Sequence, residues 1–117
     1  MLADGPDRRT PASTGADALA CREMAIVEIQ VTNPSGLHAR PATRFVETAA
    51  GFASRVTVEN LDRGSRAVDA KSILMLLTIG VVSGHRIRIT ADGPDADVAV
   101  ETLRELVASG LGEAPPG

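Results

Sequence analysis

The sequence predicts an α+β fold, an antiparallel sheet with helices over one face, in the order β-α-β-β-α-β-α. Three observations carry this. Apolar residues alternate with polar ones over 25–32, 54–59 and 85–91, the period of half-buried strands. Around Ala42 and again around Leu103 they recur at helical spacing. A short turn-rich stretch, Asn60 to Gly64, joins two strand-like segments as a hairpin, which requires antiparallel pairing. Outward strand positions carry Arg, Glu and Thr, as expected of a sheet with one wet side.

The first strand, Ala25 to Thr32, sets Val27, Ile29 and Val31 apart from Ile26, Glu28 and Gln30. A turn, Asn33-Pro34-Ser35-Gly36-Leu37, leads into a helix over Ala39–Ala50, with Ala42, Phe45, Val46 and Ala49 on one side and Gly51 as its stop. Pro41 suits the first helical turn, where a missing N–H costs nothing. Val56 and Val58 form the inner face of the second strand, and Ser65 to Ala70 is its hairpin return. Ser72 caps a short helix through Ile73-Leu74-Met75-Leu76-Leu77, a run too unbranched for a strand. That run has more apolar residues than one buried face needs. Either Ile73, Leu74 and Leu77 face outward together as a docking surface, or the helix is sandwiched in the core. After a turn at Ser83-Gly84, His85 to Ala91 points Ile87 and Ile89 inward. The last helix buries Ala96, Ala99, Val100, Leu103, Leu106 and Val107, and Gly110 ends it.

The chemistry gathers at the first strand-to-helix turn. His38 stands where the helix begins, beside N–H groups that have no acceptor inside it and that carry the positive end of the helix dipole. An anion there meets the N–H groups of Ala39 and Arg40, and the Arg40 guanidinium, whose fork matches phosphate oxygens. Imidazole is a nucleophile through one ring nitrogen. An isolated histidine here would read as a surface cap; with Arg40, Pro41 and the glycine turn, the stretch reads as a phosphohistidine site.

The 117 residues suit one domain with a real core. With Phe45 and Phe52 the only aromatics, that core must be aliphatic, and no platform exists for stacking bases. A formal charge of −3 also argues against a nucleic-acid partner. Cys21 is the single cysteine, which excludes an intrachain disulfide and a cysteine zinc cluster. No apolar run is long enough to span a membrane, so the default expectation is a cytoplasmic protein with no membrane partner. Residues 1–23 are rich in Gly, Pro, Ala, Asp and Arg without apolar periodicity and read as disordered. Met24 directly precedes the first strand, and the earlier stretch reads equally as an upstream extension, a flexible tail or a linker. Residues 114–117 read as a loose tail.

Three separated segments, Asn33–Ala42, Ala70-Lys71-Ser72-Ile73-Leu74 and Ser109-Gly110-Leu111-Gly112-Glu113, resemble those of HPr, the histidine-containing phosphocarrier of the bacterial phosphoenolpyruvate-dependent sugar phosphotransferase system. The resemblance covers 24–113. It implies an open-faced β-sandwich, four antiparallel strands backed by three helices. It implies that His38 accepts a phosphoryl group on Nδ1 from enzyme I and passes it to a IIA-type protein or domain, while Ala39 and Arg40 bind the phosphoryl oxygens. Ile73, Leu74 and Leu77 match the family's docking patch, and Ser72 matches a regulatory serine. A kinase/phosphorylase and a transcriptional regulator are the partners that serine would bring. The carrier is expected to be a monomer with no metal or cofactor. It serves as an intermediate in a relay, since no second acid or base, metal cluster or nucleotide motif accompanies His38. A paralogue of the nitrogen-regulatory or dihydroxyacetone-kinase branch would carry the same site residues. A regulatory module acting through Ser72 is a further alternative. Two features depart from the family pattern, the N-terminal extension and a longer turn at Asn60–Gly64; His85 has no counterpart role in the family and reads as a surface strand residue.

Overall fold

The computed structural model describes residues 23–112. The elements run β1 (Glu23–Gln30), α1 (Ala39–Ala50), β2 (Arg55–Asn60), β3 (Val68–Asp69), α2 (Ile73–Thr78), β4 (Arg86–Gly93) and α3 (Ala96–Ala108). The strands form one antiparallel sheet in the order β1-β4-β2-β3, so β4 lies between two strands that precede it in the chain. The βαββαβα order and the open-faced sheet are those expected. Residues 1–22 and 113–117, with all of the expected extension but Glu23, the loose tail and the final matching Glu113, lie outside the described residues, and Glu23 begins β1 instead.

The alternation in the sequence decides which face is covered. Val56, Val58, Ile87, Ile89 and Ala91 are fully buried, and Val27 and Ile29 pack against them from β1. Phe45, Ala42 and Ala49 of α1 and Ala99, Leu103 and Val107 of α3 close over this surface, making the aliphatic core that the composition requires. On the open face, Arg88 lies across from Glu28 and Glu59 in the paired strands. Its guanidinium reaches Glu28 at 2.8 Å and Glu59 at 3.6 Å. These contacts raise the Arg88 pKa, through the Glu28 hydrogen bond first.

Two local expectations are corrected. The hairpin return is two residues, Val68–Asp69, and not Ser65 to Ala70. Val58 pairs with Val68, while Asn60 and Ser65 are joined by Ser65 N–H to Asn60 O at 3.0 Å. Beyond the Val58–Val68 pair the ladder stops, and Ser65, Arg66 and Ala67 belong to no strand. His85 precedes β4 and does not belong to it, and its half-buried ring is engaged with Asn60 and Val82.

Candidate phosphoryl-transfer site

The end of β1 is tied to the loop before β4, with Val31 N–H donating to His85 O at 2.8 Å and Gly84 N–H to Val31 O at 2.6 Å. The next residues close on themselves. Gly36 N–H donates to Asn33 O at 3.2 Å, and the Asn33 amide donates back to Gly36 O at 3.0 Å. Gly36 sits at φ +62, and a Cβ on it would lie 2.5 Å from Val81 O and 2.6 Å from Val82 Cα. Only glycine permits both that backbone conformation and that approach. Leu37 then donates its N–H to Val81 O at 3.0 Å and buries its side chain completely. His38 follows immediately, so two anchored neighbours fix its backbone before the helix starts.

His38 is extended, at φ −133 and ψ 157, with a half-buried ring that makes no capping bond to α1. The next residue, Ala39, is at φ +55, a left-handed conformation that costs a non-glycine residue about 1–2 kcal/mol. Backbone strain of this kind persists only where the surroundings over-determine it. Here Leu37 and the buried Pro41 and Ala42 hold both sides. Arg40 is exposed on the first turn of α1. The structure thus brings His38, Ala39 and Arg40 together in one turn at the positive end of a 12-residue helix.

Helix α2 packs beside α1. Ser72 caps it as expected, its hydroxyl accepting the Met75 N–H at 3.3 Å. Of the two readings of this helix, the exposed one holds: Leu76 is buried, whereas Leu74 is 75% exposed and Ile73 and Leu77 are each a little over one-third exposed. Met75 shares that exposure, and Val82, next to Gly36, is an exposed aliphatic residue beside the His38 turn. Sequence reasoning missed both. Met75 lies inside the apolar run with nothing to set it apart, and Val82 lies in a loop where no periodicity assigns a face.

Two further side chains hold the scaffold. The Lys71 ammonium donates to Phe52 O at 2.7 Å, joining the α2 approach to the loop after α1. The Asp95 carboxylate accepts the N–H groups of Ala53 at 2.8 Å and Ser54 at 2.9 Å, and the Ser54 hydroxyl besides. These bonds, the Ser54 hydroxyl first, hold the Asp95 carboxyl below the usual range. Among the described residues, no group of three or more His, Cys, Asp or Glu could hold a metal ion. Among the same residues, no helix is long and apolar enough to cross a membrane.

An imidazole beside a helix N-terminus and an arginine, with an exposed aliphatic helix packed next to that helix, is an arrangement suited to a phosphohistidine-type carrier. The comparisons agree with that class. The model of the family "PTS HPr component phosphorylation site" matches residues 27–109. The chain is similar to HPr from Thermoanaerobacter tengcongensis, at 39% identity and TM-score 0.72, covering 77% of this chain and 98% of that one. It is also similar to the phosphocarrier protein HPr from Bacillus anthracis, at 36% identity and TM-score 0.67, covering 72% and 96%. Among curated proteins it is 45% identical over 83 residues to the multiphosphoryl transfer protein of Haemophilus influenzae, covering 71% of this chain and 17% of that protein. The corresponding protein of Salmonella typhimurium is 41% identical over 100 residues, covering 86% and 26%. The chain therefore spans about a quarter or less of these curated relatives. It belongs to the HPr family of the phosphotransferase system.

Proposed function

We propose that the protein carries a phosphoryl group on Nδ1 of His38, taking it from the phosphohistidine of enzyme I and delivering it to a IIA-type protein or domain in sugar uptake. The observation that carries this reading is the uncapped His38 ring, held extended between anchored Leu37 and left-handed Ala39, with Arg40 on the following turn. In the transfer, the Nδ1 lone pair of His38 forms the new N–P bond as the donor's N–P bond breaks in line, and the donor nitrogen keeps the electron pair. Arg40 and the N–H groups of Ala39 and Arg40 stabilise the charge on the phosphoryl oxygens as it passes. Ile73, Leu74 and Leu77, with Met75, supply the apolar surface on which enzyme I and the acceptor dock in turn. In this reading the carrier works in the cytoplasm as a monomer. The multiphosphoryl transfer relatives favour a unit that operates alongside other phosphoryl-transfer units.

The test is a relay assay. Protein, phosphoenolpyruvate, magnesium and a general enzyme I are mixed, and intact mass is followed. One acid-labile phosphoryl group that disappears in His38→Ala is the expected result. Labelling that survives His38→Ala would overturn the assignment.

A further inference from the structure

We propose that His85 is a positioning residue for His38, acting through the backbone of the loop between α2 and β4; this rests on His38 being the phosphoryl acceptor. The path consists of consecutive bonds. The Asn60 side-chain amide is fully buried, and its Oδ1 accepts the N–H groups of Asp62 at 3.1 Å and Arg63 at 3.3 Å. Those two donors fix which end of the amide is oxygen, so Nδ2 is the end that faces Ile79 O at 3.0 Å and His85 Nδ1 at 3.1 Å. The Val82 N–H also donates to His85 Nδ1, at 3.2 Å. Two N–H donors on Nδ1 require that this nitrogen keep its lone pair, so the ring proton sits on Nε2.

The consequence reaches the site within two residues. Ile79 O and Val82 N–H, both held by the Asn60–His85 pair, bracket Val81, whose carbonyl accepts the N–H of Leu37. Val81 O and Val82 Cα are also the atoms on which Gly36 rests. The backbone of His85 itself accepts Val31 N–H, so one residue grips both chains that lead to the turn. The Asn60 turn, remote from His38 in sequence, is therefore linked to Leu37, the residue before His38, by hydrogen bonds at His85 and Val81 joined through the Val81–Val82 peptide. Losing the His85 acceptor leaves Asn60 Nδ2 and Val82 N–H short of a partner and frees the 79–82 segment to shift under Leu37.

The variants are His85→Ala, which removes the acceptor from a half-exposed position, and His85→Asn, whose side-chain oxygen can stand where Nδ1 stood. In the relay assay with enzyme I, His85→Ala is expected to lower the maximal phosphorylation rate about tenfold with KM unchanged, because misplacing a reacting group costs rate and leaves docking intact. His85→Asn restores most of that rate. Nitrogen NMR of the wild type should show His85 Nδ1 as the unprotonated ring nitrogen. Amide hydrogen exchange supplies a readout independent of phosphorylation: the Leu37 N–H is expected to exchange faster in His85→Ala, with Ile89 in the sheet unaffected. A wild-type rate in His85→Ala, or equal loss in both variants, would overturn the proposal while His38 labelling stands. Loss of labelling specificity for His38 would remove the carrier reading. In that event, Leu37 protection unchanged in His85→Ala overturns the structural path as well, and selective loss at Leu37 upholds it.

Discussion

Replacing Gly36 by alanine tests the central claim that the His38 turn is held by backbone packing. Two costs are expected. The first is the left-handed backbone at φ +62, about 1–2 kcal/mol for a residue with a Cβ. The second is steric: the new methyl would lie 2.5 Å from Val81 O, 2.6 Å from Val82 Cα and 2.9 Å from Val82 C, all backbone atoms. Relieving that overlap forces a local shift costing about 1–3 kcal/mol. Gly64 supplies the control, since it has nearly the same φ, +64, but a Cβ there meets nothing within 4 Å. Gly64→Ala therefore carries only the backbone cost, and the entropy that alanine removes from the unfolded chain is common to both variants. The difference between the two, read from urea midpoints at constant m, is the packing term alone, about 1–3 kcal/mol. The folded fraction of Gly36→Ala should also transfer phosphoryl groups more slowly. Equal midpoints for the two variants would refute the reasoning, because the Val81–Val82 contact would then exert no constraint.

Three other expectations rest on the same structure. Leu74→Ser should shift stability by no more than about 0.5 kcal/mol, because the side chain is largely exposed, yet raise KM for enzyme I; Leu76→Ala, two residues on and buried, should cost about 2–5 kcal/mol, both read by denaturation and steady-state transfer. Ser72→Ala loses a long capping bond and should cost about 0.5–1 kcal/mol, whereas Ser72→Asp keeps a capping oxygen but puts charge beside Ile73 and Leu74; unchanged transfer in the aspartate variant would reject the effect on docking. The Asp95 carboxyl titrates lower in the folded than in the unfolded chain, so its stabilisation is complete above the unfolded pKa of about 3.9 and disappears as pH falls through the folded value. Acid titrations of stability should accordingly be steeper below about pH 4 for the wild type than for Asp95→Asn.

Helix α1 was readable to its ends because Pro41, the Ala42–Phe45–Ala49 spacing and Gly51 all indicate the same boundaries. The inner faces of β2 and β4 followed from strict alternation of valines and isoleucines with charged residues and threonines. His38, Ala39 and Arg40 were legible because contiguous residues compose the turn. Other features depend on partners distant in the chain. Nothing near Asp95 announces that its carboxylate will bind the N–H groups of Ala53 and Ser54, and nothing near Lys71 points to Phe52 O. His85 fitted the alternation of the following strand, and only the fold brings Asn60 to its ring. The same limit hid the short β3, since where the ladder stops depends on how Ser65 meets Asn60 across the turn.

The sheet order β1-β4-β2-β3 has a bearing on how the chain is made. Neither β1 nor β2 has its main partner until β4 is available, and Glu28 meets Arg88 across a sequence separation of 60. A nascent chain that has emerged only through α2 can form helices and the small β2–β3 hairpin, but the sheet must wait. The His38 turn waits with it, because Leu37 leans on Val81 and Val31 on His85, and both lie in the segment delivered just ahead of β4. Such non-local closure slows folding relative to a helical bundle of equal size. Carrier competence therefore arrives in one late step during synthesis, and a chain arrested before β4 would present a histidine without a site.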